Sequence, residues 1–461
     1  MSKKIKALLA VVLCAAMLIA AASPAFAAVD DNGVLRFNKD GKLKIMQISD
    51  TQDIDIPREA MIMFMEKALD AEKPDLVVFT GDQIAGGKIE TAEGVYAGIK
   101  AILKPVTDRG IPFTFVFGNH DTDEGCPVSR DEQLAYYQTL PGCLAYDADP
   151  ELYGSGTHNL PIYASKGNDI KFNLWLFDSN DYDRENGGYD YVHQDQIDWY
   201  VKTSEELEKK AGHPVPSIAF QHIIVPEVAE LLVDSPFKGE TAITKKLNGQ
   251  NKLLMLKPGK TTGTMLEFPC PSNTNSGQFA AWKSRGDVIA ASFGHDHINN
   301  FIGNVDGIDL IMCPGITFES YGRYISRAVR IFELDENDPW SYNTHLYKYT
   351  DAFGWGLYSW YIGAKYGKSP AMWIPIILTA VLGVAAGVGT IVLMNNIIIG
   401  ATVTAGVIAL IYFITHSQQS RRNKLNRQSP AERICGGFFH RGSARLKISL
   451  VQIHKLNYVF L

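Results

Sequence analysis

The sequence predicts an α/β domain with a largely buried sheet, exported at its N-terminal end and held to a membrane near its C-terminal end. Between Asp30 and Tyr349, short apolar runs rich in β-branched residues alternate with amphipathic stretches, the signature of strands interleaved with helices. The first residues have the layout of a leader. Residues 371–414 carry no Asp, Glu, Lys or Arg, although about 20 apolar residues are enough to cross a bilayer.

In chain order, Lys3, Lys4 and Lys6 precede an apolar run from Ala7 to Ala22 and the small-residue site Ala25, Phe26, Ala27, as in a secretory signal peptide over residues 1–27. Strand-like runs follow at Leu43 to Ser49, Leu76 to Thr80, Phe113 to Phe117, Phe172 to Phe177, Ser217 to Gln221, Val288 to Phe293 and Asp309 to Met312. Helical periodicity appears from Arg58 to Glu72, Ala92 to Leu103 and His193 to Gly212. These elements place one domain over residues 30–349. The segment 371–414 is read as a transmembrane helix or hairpin, broken at Asn395 and Asn396, with Trp373 and Tyr412 near its ends where interfacial aromatics are common. The tail over 415–461 is basic and without periodicity, and is expected to be disordered. The expected location is the cell membrane, with the domain on its extracytoplasmic side.

The 461 residues, 46% hydrophobic and 20% charged, suffice for a full core. A formal net charge of -6 gives no basic footprint, so no nucleic-acid partner is expected. Cys126, Cys143, Cys270 and Cys313 lie in the domain without the close pairing of a zinc ribbon. Cys126 and Cys143 flank a short loop and are candidates for a disulfide.

The residues that follow the strands carry the chemistry. Asp50 ends the first, Gly81 and Asp82 the second, Gly118, Asn119, His120 and Asp121 the third, His222 the fifth, and Gly294, His295, Asp296 and His297 the sixth. Loops at the carboxyl ends of strands form the ligand crevice of open α/β sheets. A lone Asp after a strand is usually a turn former, but five strand ends supplying carboxylates, an amide and imidazoles together point to metal. These groups suit zinc, manganese and iron. A carboxylate such as Asp82 can bridge two ions roughly 3.5–4 Å apart, which clamp the attacking and leaving oxygens of a phosphoryl group and supply hydroxide near neutral pH. In an extended loop, alternation would let His295 and His297 reach different ions while Asp296 points away.

These five blocks, in this order, resemble the motifs of the calcineurin-like metallophosphoesterase superfamily, which includes purple acid phosphatases, protein phosphatases and cyclic nucleotide phosphodiesterases. The resemblance runs from about Leu43 to Met312. It implies two packed β-sheets flanked by helices, an αββα sandwich, with two divalent or mixed-valence ions of manganese, iron or zinc. Asp50, Asp82 and His297 would hold one ion; Asp82, Asn119, His222 and His295 the other. His120 would be catalytic, stabilising phosphoryl oxygens or protonating the leaving alkoxide, and Asp121 would orient it.

Two positions depart from the pattern. Many members carry His two residues after the first Asp, where this chain has Gln52, a candidate ligand through its amide oxygen. Purple acid phosphatases supply Tyr three residues after the bridging Asp, where this chain has Ala85, so no tyrosinate colour is expected. Tyr189, Tyr191 and His193, in an aromatic and acidic segment, are candidates for the substrate rim. The implied activity is metal-dependent hydrolysis of a phosphate mono- or diester, with a phosphorylated small molecule as partner. The alternatives are a cyclic nucleotide or phospholipid-headgroup phosphodiesterase and, in another class, a catalytically idle metal-binding module.

Overall fold

From Lys42 the chain runs through β1 (Lys42–Ile48), α1 (Glu59–Glu72), β2 (Leu76–Thr80), α2 (Ala92–Thr107), β3 (Phe113–Val116), α3 (Arg130–Gln138), β4 (His158–Tyr163), β5 (Ile170–Leu176), α4 (Gln194–Ala211) and β6 (Ser217–Gln221). It continues through β7 (Leu232–Asp234), β8 (Ile243–Leu247), β9 (Gln250–Leu256), β10 (Thr261–Thr262), α5 (Gln278–Arg285), β11 (Val288–Phe293), β12 (Ile302–Val305), β13 (Ile308–Met312), β14 (Ala328–Asp335) and β15 (Tyr342–Lys348). Helices α6 (Tyr349–Phe353), α7 (Leu357–Lys365) and α8 (Trp373–Val392) follow. The computed structural model describes residues 28–30, 33–247, 249–392 and 406–413.

Two large sheets make the domain. One has the order β15-β14-β1-β2-β3, with β1, β2 and β3 parallel; the other has the order β10-β12-β13-β11-β6-β5-β4, with β13, β11, β6 and β5 parallel. A small sheet, β7-β9-β8, shares no strand with either, and its Leu232, Ile243 and Leu256 pack against the core of the seven-stranded one. Strand alternation places Leu43, Ile45, Leu76, Val78, Phe332 and Leu334 in one apolar cluster with Phe172, Leu174, Ile218, Phe220 and Ile311. That cluster is the seam between the two large sheets. On the other face of the seven-stranded sheet, Trp175, Ala219, Ala291 and Met312 pack with Ile197 and Tyr200 of α4 and Phe279 and Trp282 of α5. Phe64 of α1 stacks on Tyr347 of β15 and meets Tyr349 edge-on, so helices cover this sheet as well. The fold is therefore mixed α/β, with packed sheets and flanking helices.

Local signals explain the helices nearest the site. The buried stripe Ala60, Met61, Phe64, Met65, Ala68 and Leu69 has helical spacing. Thr91 accepts from Gly94 N at the start of α2, and Ser129 and Glu132 close a reciprocal capping box on α3.

The chain divides into units at Ser369 and Pro370. The first reaches past the expected boundary at Tyr349: Tyr349, Phe353 and Ile362 are buried. In the second, α8 has described side chains only to Gly383. Among the described residues no helix is long and apolar enough to cross a membrane. Residues 393–405 and 414 of the span read over 371–414 lie outside them, as do the leader over 1–27 and the whole basic tail over 415–461. Cys126 and Cys143 are free, in place of the candidate disulfide.

Candidate metal centre

The carboxyl ends of β1, β2 and β3 and those of β6 and β11 bring Asp50, Asp82, Asn119, His222, His295 and His297 together, all buried. Two groups result: Asp82, His222 and His295 form one, and Asp50, Asp82 and His297 the other, the candidate ligand atoms of each lying within 4.8 Å of one another. Asp82 belongs to both. His222 Nε2 stands 3.4 Å from Asp82 Oδ2 and 3.2 Å from Asn119 Oδ1, and His297 Nε2 stands 3.3 Å from Asp50 Oδ1.

Three features fit this set to metal ions. Asp50 Oδ1, Gln52 Oε1 and His295 Nε2 are buried without a hydrogen-bond partner; orphaned polar atoms are costly unless something else satisfies them. Asp50, Gln52, Asp82 and His295 all have positive φ, at 49°, 35°, 52° and 72°, and such backbone strain gathers at functional sites. The backbones also approach closely: a Cβ at Gly118 would strike Asp82, and one at Gly294 would strike Ser49 and Asp50. The left-handed turn at His295, with Asp296 N donating to Gly294 O, sends the two imidazoles of this loop to different groups. The extended-loop alternation expected from the sequence is not how they diverge.

Neighbouring contacts orient these atoms. His222 Nδ1 is 2.9 Å from Thr80 O and His297 Nδ1 is 2.8 Å from Tyr321 O, which turns both Nε2 atoms toward the carboxylates. Tyr321 also stacks on His297 at 4.1 Å. Asn119 Nδ2 donates to Tyr182 Oη at 2.9 Å, leaving its Oδ1 facing His222. Tyr182 Oη donates in turn to Asp123 Oδ1 at 3.2 Å, and the other oxygen of Asp123 meets His120 Nδ1.

Asp121 does not orient His120. Its Oδ2 accepts the amides of Gly118 and Asp82 at 2.7 and 3.0 Å, and its Oδ1 that of Ile84 at 3.0 Å. It pins two site loops to each other, and Asp123 holds the imidazole. Burial, with the charge of Asp82 beside it, raises the pKa of Asp121 to about 7. Gln52 Nε2 lies 3.4 Å from Asp82 Oδ2, which points its unpartnered Oε1 elsewhere in the site.

Burial opposes charge on His222, but Asp82 and Asp50 outweigh it and raise its pKa to about 9. Burial and the charge of His222 drive His295 well below its ordinary value. At neutral pH a metal ion must therefore displace the His222 proton. Apparent metal affinity is expected to rise with pH until it passes about 9, and calorimetric titrations on either side of neutrality should show proton release. A pH-independent affinity would contradict this.

Of the rim candidates, Tyr189 meets His295 edge-on at 4.2 Å and pairs with Tyr182. Tyr191 and His193 do not join it: His193 is stacked between Tyr191 at 4.4 Å and Tyr153 at 3.7 Å, with Nε2 at 2.9 Å from Asp190 Oδ1. Asp123, Tyr182 and Tyr321 are the site residues that sequence reading missed. Asp123 carried a signal, since it lies three residues after His120 in an unbroken polar run, and Tyr182 lies in the aromatic and acidic segment that holds Tyr189; Tyr321 carried none.

The loop of Gly118 is also braced from outside. Arg130 donates to Gly118 O at 2.9 Å and to both oxygens of Asp178 at 2.5 and 2.7 Å. Asp178 is fully buried and accepts Ser155 N and Asn180 N as well. Asp178→Ala is expected to cost about 3–5 kcal/mol of stability, because it strands a mostly buried guanidinium. Urea unfolding measures this; a change well under 1 kcal/mol on the scale of exposed pairs would contradict it.

Residues 43–299 match the model of the family described as calcineurin-like phosphoesterase. The chain is 31% identical over 335 residues to "Probable inactive purple acid phosphatase 14" of Arabidopsis thaliana, covering 65% of this chain and 77% of that protein. It is 29% identical over 352 residues to "Phosphatase DCR2" of Saccharomyces cerevisiae, covering 69% of this chain and 56% of that one. A dimetal phosphatase from Danio rerio aligns in structure with TM-score 0.40 and 13% identity, over 66% of this chain and 99% of its own. The chain belongs to the calcineurin-like phosphoesterase family.

Proposed function

We propose that the domain hydrolyses phosphate esters at a pair of metal ions that share Asp82. The observation that carries this is the pair of buried ligand groups meeting at one carboxylate, with unpartnered donor atoms on Asp50, Gln52 and His295. Asp50, Asp82 and His297, with Gln52 Oε1, would hold one ion; Asp82, Asn119, His222 and His295 the other. Bound there, the pair supplies charge to clamp a phosphoryl group and a nucleophile at neutral pH. The chain does the rest. Asp123 accepts from His120 Nδ1, which leaves Nε2 to face a phosphoryl oxygen or give a proton to the leaving alkoxide. Asp121 keeps the loops of Asp82 and Asn119 in register, and Tyr189 borders the entrance beside His295.

Release of p-nitrophenol from p-nitrophenyl phosphate and from its bis ester, with and without added manganese, iron or zinc, tests this. Metal-dependent turnover of either is expected, and preference for the diester would favour a phosphodiesterase. Loss of His at position 52 and the "inactive" in a relative's printed name favour the rival, an idle metal-binding module. Bound metal with no turnover of either ester would establish that rival.

The role of Gln52 is separately testable. Gln52→Ala is expected to weaken the ion at Asp50 and His297 and spare the other. Gln52→His is expected to keep activity and shift preference toward zinc or iron. Titrations of manganese, iron and zinc that match the unsubstituted protein in both variants would show that Gln52 is not a ligand.

The leader over residues 1–27 and the charge-free segment over 371–414 support an exported domain anchored to the cell membrane. Fractionation and the N-terminal sequence of the mature protein test this; an intact Met1 in a soluble fraction would refute it.

A further inference from the structure

Away from the metal centre, a cavity of 620 Å³ lies between β10 and β12 of one large sheet and β14 and β15 of the other. Thr262, Asn300, Ile302, Arg330, Leu346 and Lys348 line it. Arg330 is 2% exposed, and its register partner on β15 is Leu346. Opposed residues of an antiparallel pair share a face and side chains alternate, so Thr344, Leu346 and Lys348 project on the side of Arg330. Arg330 Nη1 accordingly stands 3.4 Å from Thr344 Oγ1.

The charge of Arg330 is not balanced. Its Nη2 donates to the carbonyls of Asn300 and Met312 at 3.0 and 2.9 Å, and its Nε has no partner. Among the described residues no carboxylate forms an ion pair with it or with the other buried arginine, Arg327, whereas the partly buried Arg58 and Arg130 have Glu319 and Asp178. Burial alone pulls its pKa below the ordinary guanidinium value. A buried cation without a counter-ion is expensive, and Lys348 adds a second positive group at the same cavity. Glu240, the acidic group of the lining, is already engaged by Arg323.

We propose that this cavity binds a small organic anion, with its phosphate or carboxylate group on Arg330 and Lys348 and its apolar part against Ile302 and Leu346. The volume is within the roughly 300–1,000 Å³ usual for small-molecule sites. Nη1, whose one partner is Thr344 Oγ1 at 3.4 Å, is the guanidinium nitrogen that can give such an oxyanion a charge-assisted hydrogen bond. The site is separate from the metal ligands and does not depend on the chemistry proposed for them.

Calorimetric titration of phenylphosphonate into the purified, metal-loaded full chain tests the assignment. Two sites are expected: one lost on chelating the metals, and one that survives chelation. The surviving site should weaken roughly tenfold or more in Lys348→Ala and disappear in Arg330→Gln. Benzyl alcohol, which lacks the anion, should not compete for it. If Arg330→Gln does not fold, Lys348→Ala decides. Loss of all binding on chelation, or a surviving site unchanged in Lys348→Ala, would overturn the proposal.

Discussion

Asp82→Ala is expected to strip both metal ions and take phosphoester hydrolysis to background. Asp82 is the residue common to the two ligand groups, so its removal damages both at once, whereas loss of Asp50 or His295 damages one. Each ion contributes several kcal/mol to a phosphoryl transition state, so a fall of at least about a thousandfold follows. The carboxylate also accepts His120 N at 2.8 Å, and the loop of His120 would loosen with it. Asp82→Asn, which keeps an acceptor oxygen but removes the charge, separates the two effects. It should lose metal while circular dichroism shows the fold intact. Full metal content in both variants would contradict the shared bridge.

His120→Ala should behave differently: metal content stays and turnover falls by roughly 10²–10⁴, as for a lost general acid or charge stabiliser. His120 belongs to neither ligand group, and its Nδ1 is occupied by Asp123. The role proposed for it is therefore toward the substrate rather than the metal. His295→Ala supplies the contrast, since it should lower metal occupancy. Equal metal loss in His120→Ala and His295→Ala would show that the division between catalytic and ligand histidines is wrong.

How much of this was legible in the sequence depended on whether a residue's role is local. Leu76–Thr80, Ser217–Gln221 and Val288–Phe293 are the strands read from their apolar runs, because central parallel strands buried on both faces announce themselves. The stretch Ala328–Asp335 is β14 and sits between β1 and the edge strand β15 in the five-stranded sheet, yet it went unread with β15. Buried Arg330 and the polar alternation of β15 disguised them. Pro105 reads as a helix stop, but α2 continues to Thr107 with Pro105, Leu103 and Val106 buried together.

The cluster of candidate ligands was legible because each of its residues follows a strand end, His295 and His297 the same one, so the motif order carries the geometry. The residues that orient it were not. Tyr182 reaches Asn119 and Asp123 from a loop some 60 positions away, and Tyr321 covers His297 from another; only the folded loops bring these rings to the site. Asp121 was misassigned for a related reason. Adjacency to His120 suggested a hydrogen bond, but the tight turn directs its carboxylate to backbone amides instead.

The central claim is that two ions share Asp82. Anomalous diffraction from crystals of the manganese-loaded protein tests it most directly. Two peaks roughly 3.5–4 Å apart, flanking the Asp82 carboxylate, are expected, one beside His297 and the other beside His222 and His295. A single peak, or two that do not meet at Asp82, would contradict the account.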